Sequence, residues 1–387
     1  MTQASTAFSV ATDSSTAGRE LGATITRELG RAADAIIVFA APRYDHAALL
    51  RSLKAACPSP AIVGCSSAGE FAVDAQAENA ACAIGFVSDD MLFTAALGRE
   101  LDIAPEQTAT AIVESFRGPH RHDYRYRSAL VLADALAGNV DQLIEALAGA
   151  SAGTYQFIGG GAGDNAQFAS TPVFYDTEVV HHAAVALEML SKKPLGIGVQ
   201  HGWEPATEPM RVTSASGMTV MSLNATSAVE VFEDYAHTTG QRFDRENPIP
   251  FFLHNIIGVR ADDSWRLRVP LTVAEDGSIT CAAEIPAGAT VAIMRASVQS
   301  AAHAAAAAAR AALDQLGENP AQAAIFFDCV ATRLRLGRDF GTELATLRDA
   351  IGPLHLVGCN THGQIARAEG QFSGFHNCTA VVCVIPA

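Results

Sequence analysis

Three times along the chain the same order of hydrophobic and polar positions recurs. A stretch with apolar residues at helical spacing leads into a short apolar run. A second such stretch and a second apolar run follow, and a Gly-punctuated polar turn closes the series. In the first copy, helical spacing over 15–29 stops at Gly30, and AIIVFA (35–40) is β-branched enough to predict a strand. A helix over 45–56 ends before Pro58 and Pro60, and AIVG enters the turn VGCSSAGEF (63–71). ACAIGFV (81–87) and LFTAAL (92–97) read as further strands. The second copy has helical spacing over 105–116 and 139–147, the strand ALVLA (129–133), and YQFIGG entering FIGGGAGDN (157–165). PVFYD and VVHHAAVAL then read as paired strands. The third copy comes late: an Ala-rich helix over 298–316, the strand AAIFFDCV (323–330), a helix over 342–351, and LHLVG entering VGCNTHGQI (357–365).

Helices alternating with short apolar strands predict an α/β protein, and the strands after each turn make the sheets mixed. Between the second and third copies the pattern changes. MRVTSASGMTVMSLN predicts a hairpin about Ser216-Gly217, and RLRVPLTVAEDGSITCAAEI another about Asp276-Gly277, with a short helix over 227–237 between them. This reads as the start of a second α/β domain that the third copy completes. The expected organisation is a flexible polar tail at 1–17, a first α/β domain at 18–215 and a second at 216–387.

A length of 387 residues suits two domains. Composition narrows the class further. The net charge of −15 argues against a nucleic-acid or anionic-membrane surface, and the short basic run from His120 to Arg127 reads as a solvated loop. No apolar run reaches the length of a membrane-spanning helix, and the polar N-terminus carries no export pattern, so a cytoplasmic protein is expected. The eight cysteines include no C-x-x-C pair, and buried reduced thiols are their ordinary reading.

The candidate chemistry lies in the three turns. They bring Cys65, Ser66, Ser67, Gly69 and Glu70 from the first, Gly161, Gly163, Asp164 and Asn165 from the second, and Thr361, His362, Gly363 and Gln364 from the third. Each places Gly before an acid or an amide, which suits close backbone approach and a hydrogen bond to a polar ligand; repeated fold-closing turns are the alternative. No phosphate-loop or dinucleotide fingerprint is present. Cys65 and Cys359 each follow a strand and a Gly, and His362 with Asp164 would complete a Cys-His-Asp hydrolase set, but packing is the plainer reading and no enzyme is expected. His201, His254, His362 and His376 are candidate axial ligands for a non-covalent haem, or ordinary core and surface histidines.

The VGCSSAGE turn, FIGGGAGDN followed by PVFYD and an apolar strand, the HGW triplet, VTSASGMTVMSLN, and FHNCT before a final apolar strand together resemble the FIST sensory family over nearly the whole chain. The resemblance implies a bacterial signal-input protein, FIST N-type then FIST C-type, that binds a small ligand such as an amino acid. It also implies, from some stand-alone members, haem-based nitric oxide sensing and a partner histidine kinase. Asn377, in the FHNCT word, joins the candidate ligand set. The third turn departs from the expected Gly-Glu, having Gly363-Gln364.

Overall fold

The computed structural model describes residues 1–73, 75–261, 264–368 and 374–387. The first unit runs β1 (Thr2–Ser9), α1 (Ser14–Leu29), β2 (Ala35–Ala40), α2 (His46–Ala56), β3 (Ile62–Ser66), a hairpin of β4 (Glu70–Ala72) and β5 (Ala75–Ala77), and β6 (Ala81–Ser88). The second repeats this order: β7 (Met91–Arg99), α3 (Pro105–Glu114), β8 (Tyr126–Ala133), α4 (Val140–Ala150), β9 (Gln156–Gly161), a hairpin of β10 (Val173–Tyr175) and β11 (Glu178–Val180), and β12 (Ala183–Ser191).

The third opens with β13 (Gly196–Gln200) and is then interrupted. The interruption holds β14 (Glu204–Pro205), β15 (Met210–Ser216), β16 (Thr219–Leu223), β17 (Thr226–Ser227), α5 (Ala228–Thr239), α6 (Ile249–Phe252), β18 (Ile256–Ala261), β19 (Ser264–Arg268), β20 (Pro270–Val273), β21 (Ile279–Cys281) and β22 (Thr290–Arg295). The unit resumes with α7 (Val298–Asp314), β23 (Ala321–Cys329), α8 (Val330–Leu336), α9 (Phe340–Ile351), β24 (His355–Thr361), a hairpin of β25 (Gln364–Arg367) and β26 (Gly374–His376), and β27 (Ala380–Pro386).

The local signals that start and stop these elements are the expected ones. Asp13 accepts from the Thr16 amide at the N-terminus of α1, and Gly30 ends that helix in the left-handed region. A reciprocal Ser297–Ser300 capping box starts the Ala-rich α7.

The fold is mixed α/β, as expected, but its units are interlocked. The three sheets run β1-β6-β2-β3-β10-β11, β7-β12-β8-β9-β25-β26 and β13-β27-β23-β24-β4-β5. Each unit therefore gives its hairpin to another unit's sheet, in a closed cycle. The first pairs with the third (Cys359 opposite Glu70), the third with the second (Gly160 opposite Gln364), and the second with the first (Cys65 opposite Val173). The repeated VGC turns occupy matching places: β2 and β3 are parallel with Val38 opposite Gly64, and β23 and β24 are parallel with Phe326 opposite Gly358.

Two expectations need correction. Residues 1–17 are not a flexible tail: β1 pairs with β6 from Thr2 opposite Ser88 to Ser9 opposite Ala81, because every unit needs this outer antiparallel strand. The hairpins at 204–295 do not start an α/β domain. They form a sheet of their own, inserted between the first strand and first helix of the third unit. A cut near residue 215 would part β9 from β25, β4 from β24 and β13 from β27.

The inner faces of the three sheets share one core, holding Phe39, Val63 and Ile84 with Leu132, Ile158 and Leu187 and with Phe327, Val357 and Val381. Phe39 and Phe327 meet edge to face across it at 5.7 Å. A helix pair covers each outer face: α1 with α2, α3 with α4, α7 with α9. The shared core brings the C-terminal ends of β3, β9 and β24 together, and the polar turns follow from those ends.

Candidate functional site

The three turns bond to one another in a ring. The Ala68 amide donates to the Asn360 carbonyl (2.9 Å), the His362 amide to the Gly161 carbonyl (3.0 Å), and the Gly163 amide to the Ser66 carbonyl (2.9 Å). Three further bonds run the other way: Asn360 to the Gly69 carbonyl (2.8 Å), Gly161 to the Gly363 carbonyl (2.9 Å) and Ser66 to the Pro172 carbonyl (3.0 Å). Ser66, Gly161 and Asn360 are thus equivalent positions about one pseudo-three-fold axis, as are Ala68, Gly163 and His362. The sequence pattern aligns Asp164 with Glu70; in the structure the position equivalent to Glu70 is Val173, because the second turn carries a longer loop before its hairpin.

Most candidate side chains are spent inside the protein. Glu70 is buried, accepts from Ser67 Oγ at 2.5 Å and from the Ala80 amide at 2.9 Å, and its carboxyl is pushed up to about 7, by burial above all. Gln364 repeats this bonding in the third unit: its Nε2 donates to Thr361 Oγ1 at 2.9 Å, and its Oε1 accepts from the Thr379 amide at 3.3 Å. Asp164 is buried and takes four amides of its own loop, Gln167 to Ser170. Both carboxylates that the sequence offers to a polar ligand are thus bonded within the protein. Buried carboxylates need donors at once, and neighbouring donors have taken them.

The remaining candidates divide. His362 stacks on Phe168 with ring centroids 5.1 Å apart, and its Nε2 lies 3.3 Å from Asp164 Oδ1 without hydrogen-bond alignment; burial lowers its pKa. Asn165 donates to the Glu78 carbonyl at 3.3 Å. Asn377 accepts from the Val269 amide, between β19 and β20, at 3.3 Å. Cys65 and Cys359 are fully buried beside one another, and burial raises the Cys359 thiol well above its ordinary value, with Cys65 adding to the rise. His201 Nε2 is bound to the Trp265 carbonyl at 2.9 Å, His254 is exposed, and His376 is buried in β26.

Two cavities lie elsewhere. The first, about 10 Å³, is bordered by His201, Asp328, Thr332, Arg335, Glu343 and Cys378, and has room for about one water. Asp328 and Glu343 are buried there, and burial raises both carboxyls, Glu343 to about 7. The second, about 320 Å³, opens between α4 and the inserted sheet. Asp141 and Glu145 border it on one side, with Arg260, Arg266, Arg268 and Glu284 on the other. Arg268 is buried; its Nη1 donates to the Phe375 carbonyl at 2.9 Å and its Nη2 to Asp141 at 3.3 Å. The sequence reading missed these charged residues. Their only local signal was charge on strand positions of the RLRV segment, next to apolar partners.

Family models decide the relationship. The FIST N domain model matches residues 34–226 and the FIST C domain model matches residues 228–367. The chain belongs to the FIST family. The boundary between the two models falls inside the inserted segment, so the FIST C match takes in β18 to β22 of the inserted sheet and α7 to β25 of the third unit. No curated protein matches this FIST chain. Among solved structures, cyanuric acid hydrolase from A. caulinodans is similar at 10% identity over 99% of both chains, with a TM-score of 0.34. PurL of T. maritima complexed with ADP is similar at 10% identity over 100% of this chain and 71% of that one, with a TM-score of 0.23.

Proposed function

We propose that this FIST protein is a sensory protein that binds a small polar ligand in the 320 Å³ cavity and passes its occupancy on through the packing of its two matched regions. The carrying observation is the cavity's lining: Asp141 and Glu145 belong to the FIST N match, and the arginines and Glu284 to the FIST C match. The volume is at the lower end of the range for small-molecule sites, about 300–1,000 Å³. Charges of both signs suit a ligand that carries both. A ligand held from both regions binds one arrangement of them better than another, which is the condition for a signal.

Haem is the less favoured ligand. His201 already holds a backbone carbonyl, the cavity beside it has room for about one water, and among the described residues no histidine borders the large cavity. The buried, raised Cys359 thiol likewise favours a binding protein over a cysteine hydrolase. The output is proposed to reach a separate signalling protein, a histidine kinase being the class that the family resemblance implies.

Calorimetry with free amino acids tests the reading, with Ala289→Trp, at the cavity wall, as the blocking variant. Saturable binding lost in Ala289→Trp supports it. Binding that survives the block, or its absence for every amino acid alongside a Soret band in haem-supplied protein, overturns it.

A further inference from the structure

Arg333 stands at the turn ring, and what surrounds it does not complete it. It lies in α8 of the third unit and is 8% exposed. Its stem packs against the first turn: a Cβ on Gly69 would lie 3.4 Å from Arg333 Cδ and 2.7 Å from Asn360 Oδ1, and Gly69 has a φ of +137°. Gly69 therefore serves close approach as well as backbone freedom. Arg333 Nε has no hydrogen-bond partner among the described residues. Nη1 lies 2.8 Å from Glu78 Oε1, out of hydrogen-bond alignment. Glu78 is itself 71% exposed, so a solvated carboxylate reaches in to a buried guanidinium. Other buried polar atoms of the ring have no hydrogen-bond partner among the described residues: Ser66 Oγ, Asn360 Oδ1 and both ring nitrogens of His362.

A buried guanidinium calls for an anion and for acceptors on its remaining hydrogens. Glu78 supplies the charge from the solvent side and leaves Nε unmet. We propose that Arg333 is the receiver for the carboxylate of a small ligand, and that Glu78 stands in for that carboxylate when the ligand is absent. A free carboxylate that displaces Glu78 is not tethered to the end of β5, so one oxygen can face Nε. The displaced segment is wired to all three units. The Glu78 carbonyl accepts from Asn165 of the second turn, the Ala80 amide donates to Glu70 of the first, and Arg333 belongs to the third. Ligand entry thus pulls on the hairpin that the first unit lends to the third unit's sheet. This site is separate from the 320 Å³ cavity and does not depend on it.

The test titrates acetate into the full chain and follows the side-chain Nε–H resonance of Arg333, assigned by its loss in Arg333→Lys. Glu78 is exposed, so Glu78→Ala should fold as the wild type does. Removing the internal competitor should lower the acetate Kd at least tenfold, and Arg333→Gln in the Glu78→Ala background should abolish saturable binding measured by calorimetry. No saturable shift of the Arg333 resonance in Glu78→Ala overturns the proposal, as does equal affinity in wild type and Glu78→Ala. Tighter binding of inorganic phosphate than of acetate overturns the carboxylate assignment.

Discussion

Replacing Glu70 with Gln isolates the cost of a buried carboxyl, because the protein already contains the product of that replacement. Gln364 occupies the matching place in the third unit and bonds its counterpart Thr361 and the Thr379 amide, as Glu70 bonds Ser67 and the Ala80 amide. A Gln at position 70 can keep both contacts by turning its NH2 to Ser67, whose hydroxyl also accepts. Glu70 has a carboxyl raised from the ordinary 4.5 to about 7, first by burial. A raised acid binds its proton more tightly in the folded state, so the contribution of Glu70 to stability is greatest below pH 4.5 and falls as pH rises from 4.5 to about 7. At about 1.4 kcal/mol per pKa unit, that interval is worth about 3 kcal/mol by about pH 8. Urea unfolding of wild type and Glu70→Gln between about pH 5 and 9 should show near equality at the acid end. The variant should be more stable by about 2–3 kcal/mol at the alkaline end. Glu343, raised to about 7 in the same direction, leaves a residual slope in the variant. A variant less stable than wild type at the alkaline end, or an unchanged slope, would refute the reasoning.

Other substitutions address the packing and the turns. Gly198→Ala should prevent folding or cost more than about 3 kcal/mol by thermal melting, since its Cβ would lie 1.8 Å from the Ala308 carbonyl oxygen of α7. Asp164→Ala leaves four loop amides without their acceptor and should lower stability by about 2–4 kcal/mol in urea, with faster proteolysis between Gln167 and Ser170. Asp141→Ala removes the carboxylate beside buried Arg268 and should cost about 3–5 kcal/mol by the same assay, against less than about 0.5 kcal/mol for the exposed Arg242→Ala. Iodoacetamide should leave Cys65 and Cys359 unlabelled in native protein over hours and label both in urea, as followed by mass spectrometry.

Helices α1, α7 and α9, the β-branched strands, the hairpins about Gly217 and Gly277 and the recurrence of the VGC turn could all be read along the chain. Periodicity, caps and turn residues act over a few positions, so their consequences are local wherever the segment ends up. Membership of the FIST family was legible for the same reason, in short words kept in order.

The partners of those elements were not legible. TQASTAFS alternates only weakly, and nothing in it names a partner so far along the chain; β6 supplies that partner, with Ser9 opposite Ala81. The hairpins after the three turns are built of strands three or four residues long, too short to name a sheet, and it is the common core of Phe39, Leu132 and Phe327 that brings each to another unit's edge. Glu70, Asp164 and Gln364 looked alike as polar residues after glycine. Which of them a ligand can reach depends on which donors the fold has already spent on them. Arg333 gave no local signal at all, because its burial, its unmet Nε and its approach to Glu78 exist only once β23, β4 and β5 lie in one sheet. Sequence alone determined the elements and the family; the closure of three units on a shared core decided which polar groups are satisfied and which stay without a partner among the described residues.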